Sequence, residues 1–354
     1  MTIVADHYTH VVGVDTHAAS HTLAILDSAT GIDKDIAVFP ASKAGQKRAV
    51  AWIGRHTGAE TDKVLISMEG VGSYGAVLAG EAGSAGYRIV EAPAPISKVA
   101  VRKGKSDSLD ALRAARSVLS SPVGELIEPR TGEIRAALRV LLVAREEMTR
   151  MSTQASNALN ALLRACDLGI DARKPLTHAQ ITTIAAWRAR DENIHLRVSR
   201  TEAVRLARLV ISFAEQIKAN QGELEKLVRE LAPQLLVLTG VGPVVAAAIL
   251  VAWSHPGRIR SEACFAALAG TSPIPASSGN TIRYRLNRGG DRRLNKAIHT
   301  IALIRMRTDD DTKNYVARRV AEGLSKKEIM RVLKRYIARQ LYRMLKKSYI
   351  GDLT

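Results

Sequence analysis

Cysteine is scarce in this chain, with two residues in 354, Cys166 and Cys264. They are far apart, lack the paired spacing of a zinc site and are too few for a disulfide framework. Two buried, reduced thiols in a cytosolic protein are the expectation. Aromatic residues make up 4%, too few for a platform that stacks single-stranded bases. No uncharged apolar run reaches membrane-spanning length and the first residues lack a signal-peptide pattern, so no membrane partner is expected. The glycine-rich turns have neither a Walker-type form nor a strand–GxGxxG–helix setting, which argues against nucleotide binding. Acidic charge is short as well: 34 Asp+Glu face 52 Lys+Arg, for a net charge of +18. That excess is far above what solubility requires and makes a polyanion the leading partner class.

What is present is a globular composition, 46% hydrophobic, in a chain long enough for more than one core. Charge is unevenly placed. Residues 1–95 lean acidic, whereas 96–120, 283–307 and the stretch from Gly323 are strongly basic. HVVGVDTH, HTLAILDS and KDIAVFPA read as closely spaced strands, an antiparallel start to an α/β domain. A helix from Ser42 to Gly58, a strand KVLISMEG, a weaker helix SYGAVLAGEAGSAG and a strand YRIVEAP follow. Ser106 is placed to cap a helix carrying Asp107 and Asp110. From Thr131 the pattern turns helical. Two runs of about 30 residues, 131–166 and 199–230, exceed ordinary globular length and predict a coiled-coil arm around a small helical insert. Pro233 closes the arm. A glycine-rich turn, an apolar helix, a Ser/Pro/Gly-rich loop and two basic helices (291–307 and 324–347) complete a mainly α region. The expected domains are 8–125, 131–232 and 233–350.

The candidate chemistry centres on Asp15, Glu69, Asp107 and Asp110. Asp15 interrupts an apolar run, where an unpartnered carboxylate is costly. Glu69 ends another apolar strand. Asp107 and Asp110 are three residues apart on one helix face. Oxygen donors from two strands and a helix suit hard divalent cations, which can serve phosphate chemistry. The competing reading has Asp107 stabilising a helix N-terminus and Asp110 lying on the surface. The adjacent VRKGKSD offers Arg102, Lys103 and Lys105 to a phosphate backbone. TGVGP, with Gly240 and Gly242, has the form of a helical hairpin whose amides can meet phosphate. In TSPIPASSGNTIRYRLNRGG an exposed serine could attack phosphorus, with Arg283, Arg285, Arg288, Arg292 and Arg293 balancing charge. His17 and His21 flank the first turn without the spacing of a helical metal pair, and no role is assigned to His17 or to Thr16.

GVDTHAASHTLAILD, SMEGVGSYG, VRKGKSDSLDALRAA, LTGVGPVVAAAILVAW, FAALAGTSPIPASSG and LNRGGDRRLNKAIHTIAL occur in that order. In these segments the chain resembles the insertion-sequence transposases that join an N-terminal acidic-tetrad domain to a C-terminal serine domain, the bridge-RNA-guided recombinases. The resemblance implies a ribonuclease-H-like first domain of the Holliday-junction-resolvase type. It implies a Mg2+-binding tetrad of Asp15, Glu69, Asp107 and Asp110, and a nucleophilic Ser278 with Ser277 beside it. It also implies excision and insertion of double-stranded DNA, direction by a structured noncoding guide RNA, and assembly as a homodimer or homotetramer in a nucleoid-associated, cytoplasmic setting. Two rivals stand beside this reading: a structure-selective metal-dependent nuclease with an inert Ser278, and a non-enzymatic nucleic-acid-binding scaffold.

Overall fold

A computed structural model describes residues 2–93, 106–275, 284, 285, 287 and 289–348. The chain divides into two compact units, Met1–Arg130 and Thr131–Thr354. In the first, the elements are α1 (Val4–His7), β1 (His10–Thr16), β2 (Ser20–Asp27), β3 (Asp33–Pro40), α2 (Lys43–Thr57), β4 (Val64–Met68), α3 (Ala76–Ser84), β5 (Arg88–Glu91) and α4 (Asp107–Arg116). The strands form one mixed sheet in the order β3-β2-β1-β4-β5. The β1–β2 and β2–β3 pairs are antiparallel, whereas β1–β4 and β4–β5 are parallel. The antiparallel start read from the sequence is therefore present, and the whole is consistent with a ribonuclease-H-like fold.

β1, β2 and β4 read as nearly unbroken apolar runs because both faces of the sheet are covered. Val12, Val14, Ile66 and Met68 join Trp52 and Ile53 of α2 and Leu78 of α3 on one side. Val11, Leu65 and Leu26 join Ala111, Leu112 and Ala115 of α4 on the other. Each such buried aliphatic side chain contributes about 1.5–3 kcal/mol. The alternation has a consequence for chemistry. Side chains two apart on a strand share a face, so Gly13 and Asp15 follow Val11 toward α4.

The second unit contains α5 (Glu133–Ala165), α6 (His178–Ala185), α7 (Ile194–Leu231), α8 (Pro243–Trp253), α9 (Glu262–Leu268), the short strands β6 (Ile274–Pro275) and β7 (Tyr284–Arg285), then α10 (Arg292–Thr308), α11 (Asp310–Ala321) and α12 (Lys326–Ser348). It is mainly helical. α5 and α7, at 33 and 38 residues, run antiparallel for roughly 50 Å. Polar clamps fix their register: Asn220 Nδ2 donates to the Leu141 carbonyl at 3.0 Å, and Arg145 to that of Ile217 at 2.9 Å. One end of the hairpin packs on the insert, where Thr177 and Gln180 form a capping box for α6. The other end joins α8, α10 and α12 in a larger core around Leu250, Phe265, Ile298 and Leu341. α8 is apolar on every side and buried, as a central helix should be. Of the two cysteines expected to be buried, Cys166 is, whereas Cys264 on α9 is exposed. α11 has no counterpart in the sequence reading. Its N-cap, Asp309, is also the C-cap residue of α10, so two helices abut without a turn-forming stretch between them. Among the described residues no helix is long and apolar enough to cross a membrane.

Candidate metal centre

Asp15 is the penultimate residue of β1 and is 7% exposed. β4 runs parallel beside it with Val14 opposite Met68, and the Glu69 amide donates to the Val14 carbonyl at 3.0 Å. The two carboxylate-bearing residues thus stand side by side just beyond the paired part of two central strands. The Thr16 hydroxyl donates to the Glu69 carbonyl at 3.0 Å and fixes that exit. Gly70 then turns the chain with φ 64°, where a side chain would stand 2.5 Å from Thr16 Oγ1.

α4 brings the other two acids. Ser106 caps it by accepting from the Leu109 amide at 3.4 Å, with Asp107 and Asp110 in the first turn. Its seat on the sheet is unusually close, since Ala111, Ala114 and Ala115 are buried there and Ser67 Oγ donates to the Ala114 carbonyl at 2.7 Å.

The resulting cluster includes a residue to which the sequence reading gave no role. His17 Nε2 lies 3.1 Å from Asp15 Oδ2 and 3.4 Å from Asp107 Oδ1. One donor atom from each of Asp15, His17 and Asp107 falls within 4.8 Å of the others. The available signal is the strand period: Asp15 and His17 are two apart and share a face, a relation that helical histidine spacing does not show. Asp15 forms the buried floor. His17 and Asp107 are about half exposed, so the cluster opens to solvent, where a large substrate can reach it.

Negative charge is concentrated here. Burial, then Asp15 and Asp110, push the Glu69 carboxyl above its ordinary pKa, with Arg113 opposing weakly. Arg113 is engaged with Asp110 at 2.6 Å. Crowded carboxylates with a solvent-facing side suit a divalent cation. Asp15, His17 and Asp107 could hold one such as Mg2+. The imidazole widens the choice toward Mn2+, because nitrogen donors suit transition metals better than Mg2+. Glu69 and Asp110 are coupled to this cluster by charge.

In the second unit, Gly240 turns the chain with φ 86° and Gly242 caps α8 ahead of Pro243. Arg305 Nε donates to the Thr239 carbonyl at 2.9 Å and holds the turn. Arg285 is exposed on β7, and Arg292 is exposed at the start of α10. Arg293 is bound by Glu146 through two contacts of 2.9 and 2.8 Å. β6 and β7 pair Ile274 with Arg285 and Pro275 with Tyr284. The segment between them in sequence carries Ser277, Ser278 and Arg283. These three, Arg288, and Arg102, Lys103 and Lys105 of the first unit lie outside the described residues.

Two sequence families match. Residues 12–166 match one described as transposase, a range that takes in all four acids. Residues 232–317 match the family described as Transposase IS116/IS110/IS902, a range that takes in Gly240, Ser278 and Arg293. Over 144 residues the chain is 30% identical to an insertion element IS110 uncharacterized 43.6 kDa protein of Streptomyces coelicolor. That alignment covers 40% of this chain and 36% of the relative, so the chain spans little more than a third of that protein's length.

Proposed function

We propose that this chain, which carries both domains of the IS110 family of transposases, cuts and rejoins double-stranded DNA to excise and insert an insertion sequence. The observation that carries the reading is the convergence of Asp15, His17 and Asp107 within 4.8 Å, charge-coupled to Glu69 and Asp110, in a chain with those two domains. Asp15, Glu69, Asp107 and Asp110 are assigned as holders of Mg2+ or a similar ion. Such an ion, when bound, supplies Lewis-acid charge beside a DNA phosphate.

Ser278 is assigned as the nucleophile. Its Oγ attacks phosphorus and forms a serine phosphodiester, while the displaced sugar oxygen departs and takes up a proton. A sugar hydroxyl of the joining strand then attacks the same phosphorus, loses its proton, and returns Ser278 to the free hydroxyl. His17, between Asp15 and Asp107, is proposed as a further, nitrogen donor to the same ion. Arg285 and Arg292 are available to phosphate, as are Arg283, Arg288, Arg102, Lys103 and Lys105 by their charge. An element-encoded structured RNA is proposed to direct the reaction. Homodimers or homotetramers are proposed to form through the α5–α7 arm as a coiled coil.

The decisive test incubates the full chain with element-end DNA, with and without the flanking noncoding RNA. Covalent protein–DNA adducts lost in both Ser278→Ala and Asp15→Asn are the expected result. Cutting that survives Ser278→Ala would instead favour the structure-selective nuclease. Equal recombination without the RNA would remove RNA guidance from the reading.

A further inference from the structure

The tip of the α5–α7 hairpin carries a groove of about 600 Å³, walled by α7 and by the Trp187–Arg190 loop that leaves α6. Arg188, Arg190, Arg197, Arg200, Arg205 and Arg208 line it, with Glu192 as the one acidic group among the described lining residues. Arg197, Thr201, Arg205, Arg208 and Ser212 recur every three or four residues, so they share one face of α7. From Arg197 to Arg208 that face runs about 16 Å.

The six guanidinium groups divide by what holds them. Arg200 is 5% exposed. It is bound by Glu192 through Nε at 2.8 Å and through a second contact from Nη2, and it lies 4.8 Å over the Trp187 ring. That pair is architecture, and it uses the only carboxylate in the wall. Arg205 pairs with exposed Glu202, a contact of little net worth in solvent. Arg208 gives Nε to the Ala185 carbonyl at 3.2 Å. Among the described residues no ion pair holds Arg188, Arg190, Arg197 or Arg208, although Arg190 acts on Glu192 by charge. Such a concentration of like charge is self-repelling, and a polyanion relieves it.

We propose that this groove is a sequence-independent binding site for the phosphate backbone of duplex DNA, distinct from the acidic cluster. The inference rests on the DNA-acting reading above. The cations are strung over three turns of a helix and do not converge on one point, which fits a polymeric anion. A single strand would need an aromatic face on which its bases could stack. Trp187 does not offer one, because Arg200 covers it and it packs on the hairpin-tip core. Glu192 is committed to Arg200, Thr201 Oγ1 donates to the Arg197 carbonyl and Ser212 Oγ accepts from Gln216, so the wall offers chiefly guanidinium groups strung at phosphate-like spacing. Such a wall favours contact with the backbone.

The test measures binding of full-length protein to a duplex oligonucleotide by fluorescence anisotropy, in EDTA, between 50 and 200 mM salt. Each lost phosphate contact lowers the salt slope by about 0.9, so R188Q/R197Q/R208Q should flatten it by nearly 3. Over that fourfold range wild-type affinity then falls about 40-fold more than the variant's. The matching triple lysine variant should keep the steep slope, because point charges suffice for phosphate. An unchanged slope in the glutamine variant would overturn the proposal. So would a loss confined to single-stranded DNA or to RNA, with duplex binding intact. If the wild-type chain fails to bind duplex DNA at any salt, the DNA-acting reading itself fails.

Discussion

A Cβ built on Gly13 would stand 1.9 Å from the carbonyl oxygen of Ala111, and 2.6 Å from the Ala115 amide nitrogen. β1 and α4 therefore touch backbone to backbone, two residues before Asp15 and one turn after Asp107. This contact sets the distance between the strand acid and the helix acids. Gly13→Ala must move α4 outward, since backbone atoms cannot give way locally. The expected cost is about 1–3 kcal/mol of stability, the range for overpacking, together with a weakened thermal shift on adding Mg2+ or Mn2+. Thermal unfolding with and without metal reads both quantities. A variant with undiminished metal response would show that α4 does not set the site.

Glu69 links the cluster to pH. Burial first, and Asp15 and Asp110 next, raise its folded pKa above the ordinary carboxyl value. A carboxyl raised on folding favours the folded state below its unfolded pKa, and that advantage disappears as pH rises through the folded value. Above that folded value, and without metal, the Glu69 carboxylate is thus a destabilising charge. Glu69→Gln should raise the unfolding temperature of the metal-free protein at pH 7, while shrinking the further rise that metal produces. A lower metal-free unfolding temperature, with the metal response intact, would separate Glu69 from the cluster.

His21 gives a second pH signature of opposite kind. Its ring is fully buried on β2 and neither nitrogen has a hydrogen-bond partner among the described residues. Burial, then His17, lower its pKa, against a smaller opposing effect of Asp15. The unfolded chain therefore takes up a proton near pH 6.5 that the folded imidazole resists. Its contribution is intact above pH 6.5 and is lost as pH falls toward the lowered folded value. His10, also lowered mainly by burial, adds to the same trend. His21→Leu should flatten the stability profile between about pH 7 and 5 relative to wild type. Denaturant unfolding at several pH values measures the difference, and parallel profiles would clear His21.

The sheet was legible because its apolar runs are short and, for β3, β4 and β5, stop at or within two residues of a proline or glycine. HVVGVDTH and KVLISMEG map onto β1 and β4 within a residue or two. The long helices were legible from sheer length. What escaped was tertiary. The role of Gly13 is a close approach between segments about a hundred residues apart, which leaves no local pattern. His17 escaped because strand geometry, not helix geometry, brings it to Asp15. The arginine groove escaped because its residues come from a loop and from one face of a long helix, so no basic run forms in sequence. α11 escaped because a single aspartate ends one helix and starts the next.

Asn295 on α10 ties the end of α9 to α12. Its Nδ2 donates to the Ala269 carbonyl at 2.6 Å, and its Oδ1 accepts from Lys334 Nζ at 2.8 Å. Lys334 is itself desolvated, which lowers its pKa, so it depends on that acceptor. Just beyond Ala269 the chain enters β6, and β7 returns from the segment that carries Ser278. Asn295→Ala removes both part-buried bonds and should cost about 1–3 kcal/mol, at about 0.5–1.5 kcal/mol for each. Asn295→Asp keeps an acceptor for Lys334 but sets a carboxylate oxygen against the Ala269 carbonyl, which isolates the donor. Both variants should lower the yield of the proposed Ser278–DNA adduct while leaving the metal response of the first unit unchanged. Adduct yield at the wild-type level in Asn295→Asp would mean that this bond does not position the strand pair for chemistry.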